Sequence, residues 1–334
     1  MRKTIALFLL AMLLLTTTAI SPALADAKVY KVAFICRNTA DSFCGFIIQA
    51  FNETMEKDYK GKMTLDILDS GADNEKENSL IETCVTNGYD AIIVQPNDST
   101  SQLPYCQAAV DAGKVVVTTN AGIREVKGGY WVDADPYEQG KLVAEKAIAE
   151  VPKDAKVCIM TCNPGNLHTE SRLKAYNEIF LAQRPDVTCL AQKCTARADE
   201  AEFMATMEDW VQAYGYFDAV LTIGDVLAKS CYEVVKDDPN WKNCLFYGVD
   251  GNPDQLLLIK QGHIKGTVMQ DTYDIAGNSL KTAYTALTTG TAENVALPAT
   301  YIDSTNIDQY LAYYVKIGRL TQDQVDQAIA EIGK

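Results

Sequence analysis

Cys244-Leu-Phe-Tyr-Gly-Val-Asp-Gly-Asn-Pro-Asp-Gln255 and, shortly after it, Ile264-Lys-Gly-Thr-Val-Met-Gln-Asp271 decide the reading of this 334-residue chain. Each is a short apolar run that ends abruptly in one polar side chain, Asp250 in the first and Gln270 in the second. Gly251-Asn252-Pro253 then turns the chain. A buried parallel strand delivers a hydrogen-bonding group to the carboxyl edge of its sheet in this way, and open α/β folds bind ligands at that edge.

The same design recurs on both sides of this stretch. Strand-like runs at 29–35, 63–68, 90–95 and 114–119 alternate with amphipathic segments at 45–58, 74–86 and 100–112, and 130–135 adds a fifth strand. The pattern then restarts, with helices at 137–151, 169–181, 200–214 and 226–235 between strands at 156–161, 187–193 and 218–223. Such alternation predicts βαβ units and parallel sheets. Asp218-Ala-Val-Leu221 echoes Asp90-Ala-Ile-Ile93, which suggests one architecture used twice. A helix over 274–289, a strand over 299–303 and two helices finish the chain, the last opened by the capping box Thr321-Gln-Asp-Gln324.

Met1-Arg2-Lys3, the apolar run from Ile5 to Leu15 and Pro22-Ala-Leu-Ala25 read as a removable export signal, residues 1–25, with an apolar core too short to span a bilayer comfortably. No cysteine near the cleavage point could take a lipid, so a soluble exported protein is expected rather than a lipoprotein. The formal charge is −14, and loss of Arg2 and Lys3 with the signal leaves −16. That charge repels nucleic acid and anionic membranes. Ten cysteines in an exported chain point to disulfides mixed with buried thiols, and their spacings match no zinc site.

No catalytic constellation is present: the sequence has no G-x-S-x-G, P-loop or H-E-x-x-H. His168 has no nucleophile beside it in a known spacing, and Asp41 with Asp250 would be the nearest approach to a glycosidase pair. Neither an enzyme, a cofactor nor a metal is therefore expected. What stands out is a set of polar residues just past strand ends: Asp41, Asn120, Arg172, Asp250 and Gln270. Carboxylates and amides beside an arginine satisfy many hydroxyls at once, and Phe43 could stack on the C–H face of a sugar ring. Taken singly, each polar residue reads equally as a cap or turn residue and Phe43 equally as core.

Ala40-Asp41-Ser42-Phe43, Thr118-Thr119-Asn120, Gly165 through Arg172, Gly224-Asp225, Gly248-Val249-Asp250-Gly251 and Val268-Met269-Gln270-Asp271 stand in an order and spacing that resembles the periplasmic monosaccharide-binding proteins of ABC transporters, the ribose and galactose/glucose branches, from about Val29 to about Asp303. The resemblance implies a type I periplasmic binding fold: two Rossmann-like lobes with parallel sheets, joined by three hinge strands. On its terms, residues 26–134 with 271–296 form one lobe and 135–270 with 297–334 the other, hinged near Asp133–Asp135, Thr267–Gln270 and Leu297–Ala299.

It also implies a ligand site of Asp41, Phe43, Asn120, Asn166, His168, Arg172, Asp250 and Gln270, with Arg197 near the place of a second stacking aromatic. Gly224 stands where the family usually has an asparagine, and the calcium loop of the galactose branch has no counterpart. The implied function is delivery of a neutral aldose to an ABC permease in the inner membrane, with a sugar acid or polyol as the alternative ligand. A role as ligand input to a chemoreceptor or sensor kinase is the alternative partnership. The same fold suggests the cysteine pairs Cys84–Cys106, Cys36–Cys44, Cys162–Cys194 and Cys231–Cys244, with Cys158 and Cys189 as buried thiols.

Overall fold

The structure is a computed structural model that describes residues 28–332, so the export signal read at 1–25 lies outside the described residues. From the start of the described chain, β1 (Tyr30–Cys36), α1 (Ser42–Thr54), β2 (Met63–Asp69), α2 (Asn74–Thr86), β3 (Ala91–Val94), α3 (Ser99–Asp111), β4 (Val115–Thr119) and β5 (Tyr130–Ala134) build one sheet with its helices. A second set follows: α4 (Pro136–Glu150), β6 (Lys156–Cys162), α5 (Leu167–Ala175), β7 (Thr188–Thr195), α6 (Glu200–Tyr214), β8 (Ala219–Thr222), α7 (Asp225–Val235), β9 (Leu245–Tyr247), α8 (Pro253–Gln261) and β10 (Gly266–Met269). The chain then returns through α9 (Thr272–Thr289) and β11 (Val295–Leu297) to the first sheet, and ends on the second with β12 (Thr300–Asp303), α10 (Ile307–Lys316) and α11 (Gln322–Ala330).

The first sheet has the order β11-β5-β4-β3-β1-β2 and is parallel throughout. In the second, β12-β10-β9-β8-β6-β7, only β12 runs antiparallel. The fold is therefore a two-lobed α/β architecture of the type I periplasmic binding kind, and the chain passes between its sheets three times: after β5, after β10 and between β11 and β12. β11, where the sequence carries no strand pattern, is three residues long and pairs with β5.

Burial on both faces explains why the strands read as unbroken apolar runs. β3 and β8 are buried at every position. α1 and α9 cover one face of the first sheet around Phe34, Phe51 and Leu280, and α2 and α3 cover the other around Ile35, Ile81 and Cys106. A larger core including Phe180, Phe203 and Tyr247 fills the second lobe. The capping box at Thr321 forms as expected.

α4 and α5 approach so closely that they fix the position of Arg172. A Cβ on Gly140 would stand 2.8 Å from the Arg172 Cα and 2.9 Å from the Ala175 Cβ. Those neighbours are backbone and a helical methyl, which can yield only by shifting α5. Gly140→Ala is expected to destabilise the protein by ~1–3 kcal/mol through overpacking. Thermal unfolding of this variant checks the prediction: a midpoint equal to wild type would show that α5 moves freely.

The four cysteine pairings expected from the fold are not formed; all ten cysteines are free, eight of them buried. For one pair the register gives the reason. Cys194 pairs across from Thr161 and Cys162 from Thr195, so side chains of Cys162 and Cys194 alternate to opposite faces of the sheet. Cys36 and Cys44 both direct their thiols to Gln95 Oε1, at 3.5 Å each, and Cys231 contacts Met160 Sδ at 3.9 Å. Burial pushes the thiols of Cys84 and Cys106 up to about 11 and about 12, which keeps them protonated and inert.

Candidate ligand site

The loops after β1 and β4 face those after β6, β8 and β9 across a cavity of about 160 Å³. Asp41, Phe43 and Asn120 line it from the first lobe, Asn166, His168, Arg172 and Asp250 from the second, and Gln270 from the crossing after β10. Eight of the nine expected site residues thus meet in one cleft. Arg197 does not: it is exposed in the loop after β7 and absent from the lining, although Ala198 of the same loop and Glu200 at the start of α6 reach the cavity. Thr195 Oγ1 holds the Arg197 carbonyl at 2.9 Å, and Asp199 caps α6. The second guanidinium of the cleft is Arg37, the first residue past β1, which the sequence reading passed over.

A relay of amides ties the two lobes together beneath the cavity. Gln95 Nε2 donates to Asn120 Oδ1 (2.9 Å), Asn120 Nδ2 to Gln270 Oε1 (3.0 Å), and Gln270 Nε2 to Asp250 Oδ1 (2.7 Å). Asp250 in turn lies 3.6 Å from Arg172 Nη1. The relay orients the amides of Asn120 and Gln270, so that each turns a defined donor or acceptor toward the cavity.

Arg172 is held from behind. Its Nε and Nη2 both donate to Gln139 Oε1, at 3.0 and 2.6 Å, and Nη1 donates to the Ile223 carbonyl at 2.6 Å. Its Nη2 also lies 3.2 Å from His168 Nδ1. A guanidinium can only donate, so Nδ1 must accept and the imidazole proton sits on Nε2. That nitrogen faces Asp133 Oδ1 at 3.4 Å, while Asp133 Oδ2 accepts from the Ala121 and Gly122 amides. Burial holds His168 below the ordinary histidine range, against the pull of Asp133.

Burial also raises Asp250, to about 6, with Arg172 and the Gln270 amide opposing the rise. Its backbone sits at φ 125°, and Ala121 beside Asn120 at φ 100°, both in the region that favours glycine. Such residues cost on the order of 1–3 kcal/mol each and gather where geometry must be exact for binding. Gly224 takes its meaning from Asp250: a Cβ there would meet Asp250 Oδ2 at 3.2 Å, so a bare backbone leaves the carboxylate its room.

The remaining residues divide. Asp41 Oδ1 caps α1 by accepting from Phe43 and Cys44 amides, which leaves Oδ2 for the cavity. Asn166 spends its side chain on protein contacts: Oδ1 caps α5 through the His168 amide and Nδ2 donates to the Asn97 carbonyl of the other lobe at 3.0 Å. It bridges the lobes at the cavity edge. Phe43 is both core and cavity wall. Ile223, Val226 and Leu227 of the second lobe line the same cavity, and nothing in the sequence alone marks them. Arg37 is desolvated, and Asp41 is the carboxylate beside it that favours its charged form. Among the described residues no cluster of three or more metal-ligating side chains occurs.

Comparison with known proteins agrees with this geometry. Residues 32–292 match the family described as periplasmic binding protein domain. The chain is 26% identical over 275 residues to the ribose import binding protein of Bacillus subtilis, covering 81% of this chain and 88% of that one. It is 24% identical over 212 residues to a putative rhizopine-binding protein of Rhizobium meliloti, covering 62% of this chain and 69% of the relative. Among solved structures, an ABC transporter solute binding protein from Bacillus halodurans with bound myo-inositol superposes with a TM-score of 0.81 at 23% identity, covering 87% of this chain and all of that one (100%). A periplasmic solute binding protein from Actinobacillus succinogenes with bound D-allose gives 0.76 at 20% identity, over 84% and 100% of the two chains.

Proposed function

The chain belongs to the periplasmic binding protein family, and from that membership we propose that it binds a small neutral ring bearing several hydroxyls, an aldose or a cyclic polyol, and delivers it to the permease of an ABC importer. The protein is a solute-binding protein of the periplasmic type rather than an enzyme. The lobes, taken as 26–134 with 271–296 and 135–270 with 297–334, close on the ligand about the three crossings.

The observation that carries the neutral ligand is the charge balance of the cleft. Arg172 stands against Asp250 and Arg37 beside Asp41, and Glu200 adds a third carboxylate to the lining, so the two guanidinium groups of the cleft are more than balanced. A carboxylate ligand would find no uncompensated cation and would meet Asp41 and Asp250 as like charges. Phe43 from the first lobe and Ile223, Val226 and Leu227 from the second form apolar walls suited to the faces of a ring, whose hydroxyl edge then meets the carboxylates, amides and arginines. Relatives support the same chemistry: one is a ribose import binding protein, and two solved structures hold myo-inositol and D-allose.

A thermal-unfolding screen of the protein from Asp26 onward tests this with D-ribose, D-allose, myo-inositol and xylitol against the corresponding uronic and aldonic acids. A ligand at a hundred times its Kd adds about 2.7 kcal/mol to stability, which is readily seen. At least one neutral compound is expected to raise the midpoint. A response to the acids alone would overturn the reading.

A further inference from the structure

The turn between α10 and α11 belongs to the second lobe. Leu311, Tyr314, Leu320 and Val325 share its core, and both helices pack on α8. Arg319, within that turn, instead reaches the first lobe. Its Nη2 donates to the Phe46 carbonyl on α1 and to Thr272 Oγ1 at the start of α9, each at 2.9 Å. Its guanidinium lies 4.3 Å from the centre of the Phe46 ring and 5.4 Å from that of Tyr273. Tyr273 is itself anchored, since its hydroxyl donates to Glu53 Oε2 at 2.6 Å.

The position of this contact matters. Arg319 does not line the ligand cavity, but Ser42 borders both that cavity and an adjoining one lined by Phe46 and Arg319. The contact joins elements that pack on different sheets: α1 and α9 on the first, the α10–α11 turn on the second. A guanidinium is well fitted to such a role, because one planar group can lie over aromatic rings while its edge donates to oxygens.

We propose that Arg319 is a closure latch, a positioning residue that holds the two lobes in the ligand-retaining arrangement without touching the ligand. The inference rests on the proposed closure of the lobes over a ligand. Contacts made only in the closed form multiply the closed population, and the apparent affinity rises in the same proportion. Arg319 thus sets how long the ligand stays, whereas Arg172, Asp250 and Gln270 set which ligand it is.

The test uses whichever of D-ribose, D-allose, myo-inositol and xylitol binds the wild-type protein, by calorimetry and stopped-flow dissociation. Arg319→Ala is expected to raise Kd about tenfold, chiefly through faster release, while leaving the ranking of the probes unchanged. Phe46→Leu, on the opposite lobe, is expected to weaken binding as well, and the double variant to lose less than the product of the two. Arg319→Lys, which keeps the charge but not the planar fork, should recover part of the affinity. An unchanged Kd and release rate in Arg319→Ala would overturn the latch. So would a loss of unfolding temperature that is the same with and without ligand, which marks a merely structural residue. If none of the probes binds the wild type, the ligand reading fails, and the latch is decided by small-angle scattering of the unliganded proteins. Arg319→Ala must then show a larger radius of gyration than wild type, and an identical profile overturns it.

Discussion

Arg172→Ala is expected to weaken ligand binding by at least about a hundredfold, the equivalent of ~3 kcal/mol for a lost charged hydrogen bond. The same change should lower the stability of the unliganded protein. Arg172 is 3% exposed, and its five donors are what Gln139, the Ile223 carbonyl and His168 are arranged around. Alanine removes them all and leaves Asp250 buried without its counter-charge. Breaking a buried pair by deleting one partner typically costs ~3–5 kcal/mol, more than the pair itself contributes, because the remaining charge stays desolvated. Part of that cost is relieved here, since Asp250 already holds its proton up to about 6 and can take one up.

Two controls separate the loss of binding from the loss of stability. Arg172→Lys restores a positive charge but not the fork to Gln139, and should bind measurably yet weakly. Gln139→Leu leaves the guanidinium in place but frees it to move, and should weaken binding by less than Arg172→Ala. Calorimetric titration together with thermal unfolding reads both effects. A Kd for Arg172→Ala within threefold of wild type, in a protein that unfolds normally, would remove Arg172 from the site.

How much of this was legible in the sequence follows from which side chains carry a local signal. Ala91–Val94 and Ala219–Thr222 announced themselves because strands buried on both faces must be apolar at every position. Asp250 and Gln270 announced themselves by ending such runs. β11 had no such signal: it is three residues long, at the sheet edge, and only partly buried. Arg37 and Arg197 show the limit more sharply. Both stand in loops at strand ends, and local sequence does not say which loop residue faces the cleft. That depends on Cys44 and Asp41 around the one and on the Thr195 tether and the Asp199 cap around the other. Asn166 caps α5, and its second contact, to the Asn97 carbonyl 69 residues away, has no local signal at all. Gln139 and Arg319 act on partners 33 and 273 residues away, and no spacing rule reaches so far.

Acidification from pH 7 to pH 5 is expected to weaken binding of a neutral ligand about tenfold through the single proton taken up by Asp250, and further through His168. Asp250 as a carboxylate accepts from ligand hydroxyls and balances Arg172; once protonated below about 6 it does neither fully. His168 is held below its ordinary range by burial, and when it does charge, Nδ1 can no longer accept from Arg172 and two cations stand 3.2 Å apart. Both steps act in the same direction on the ligand. On the unliganded fold they oppose each other. The folded value of Asp250 lies above its ordinary 3.8, so its burden on stability is fully present above about 6 and is relieved as pH falls through that value toward 3.8. The folded value of His168 lies below its ordinary 6.5, so its neutral burial begins to cost stability as pH falls through 6.5. From these two groups, therefore, the ligand-induced rise in unfolding temperature should shrink with acid while the unliganded midpoint moves much less. Asp250→Asn, which cannot ionise, should bind more weakly at pH 7 and lose most of the dependence above pH 5. A Kd that stays constant between pH 7 and pH 5 in the wild type would show that Asp250 does not meet the ligand as a carboxylate, and that the contact between Arg172 and Asp250 serves the fold alone.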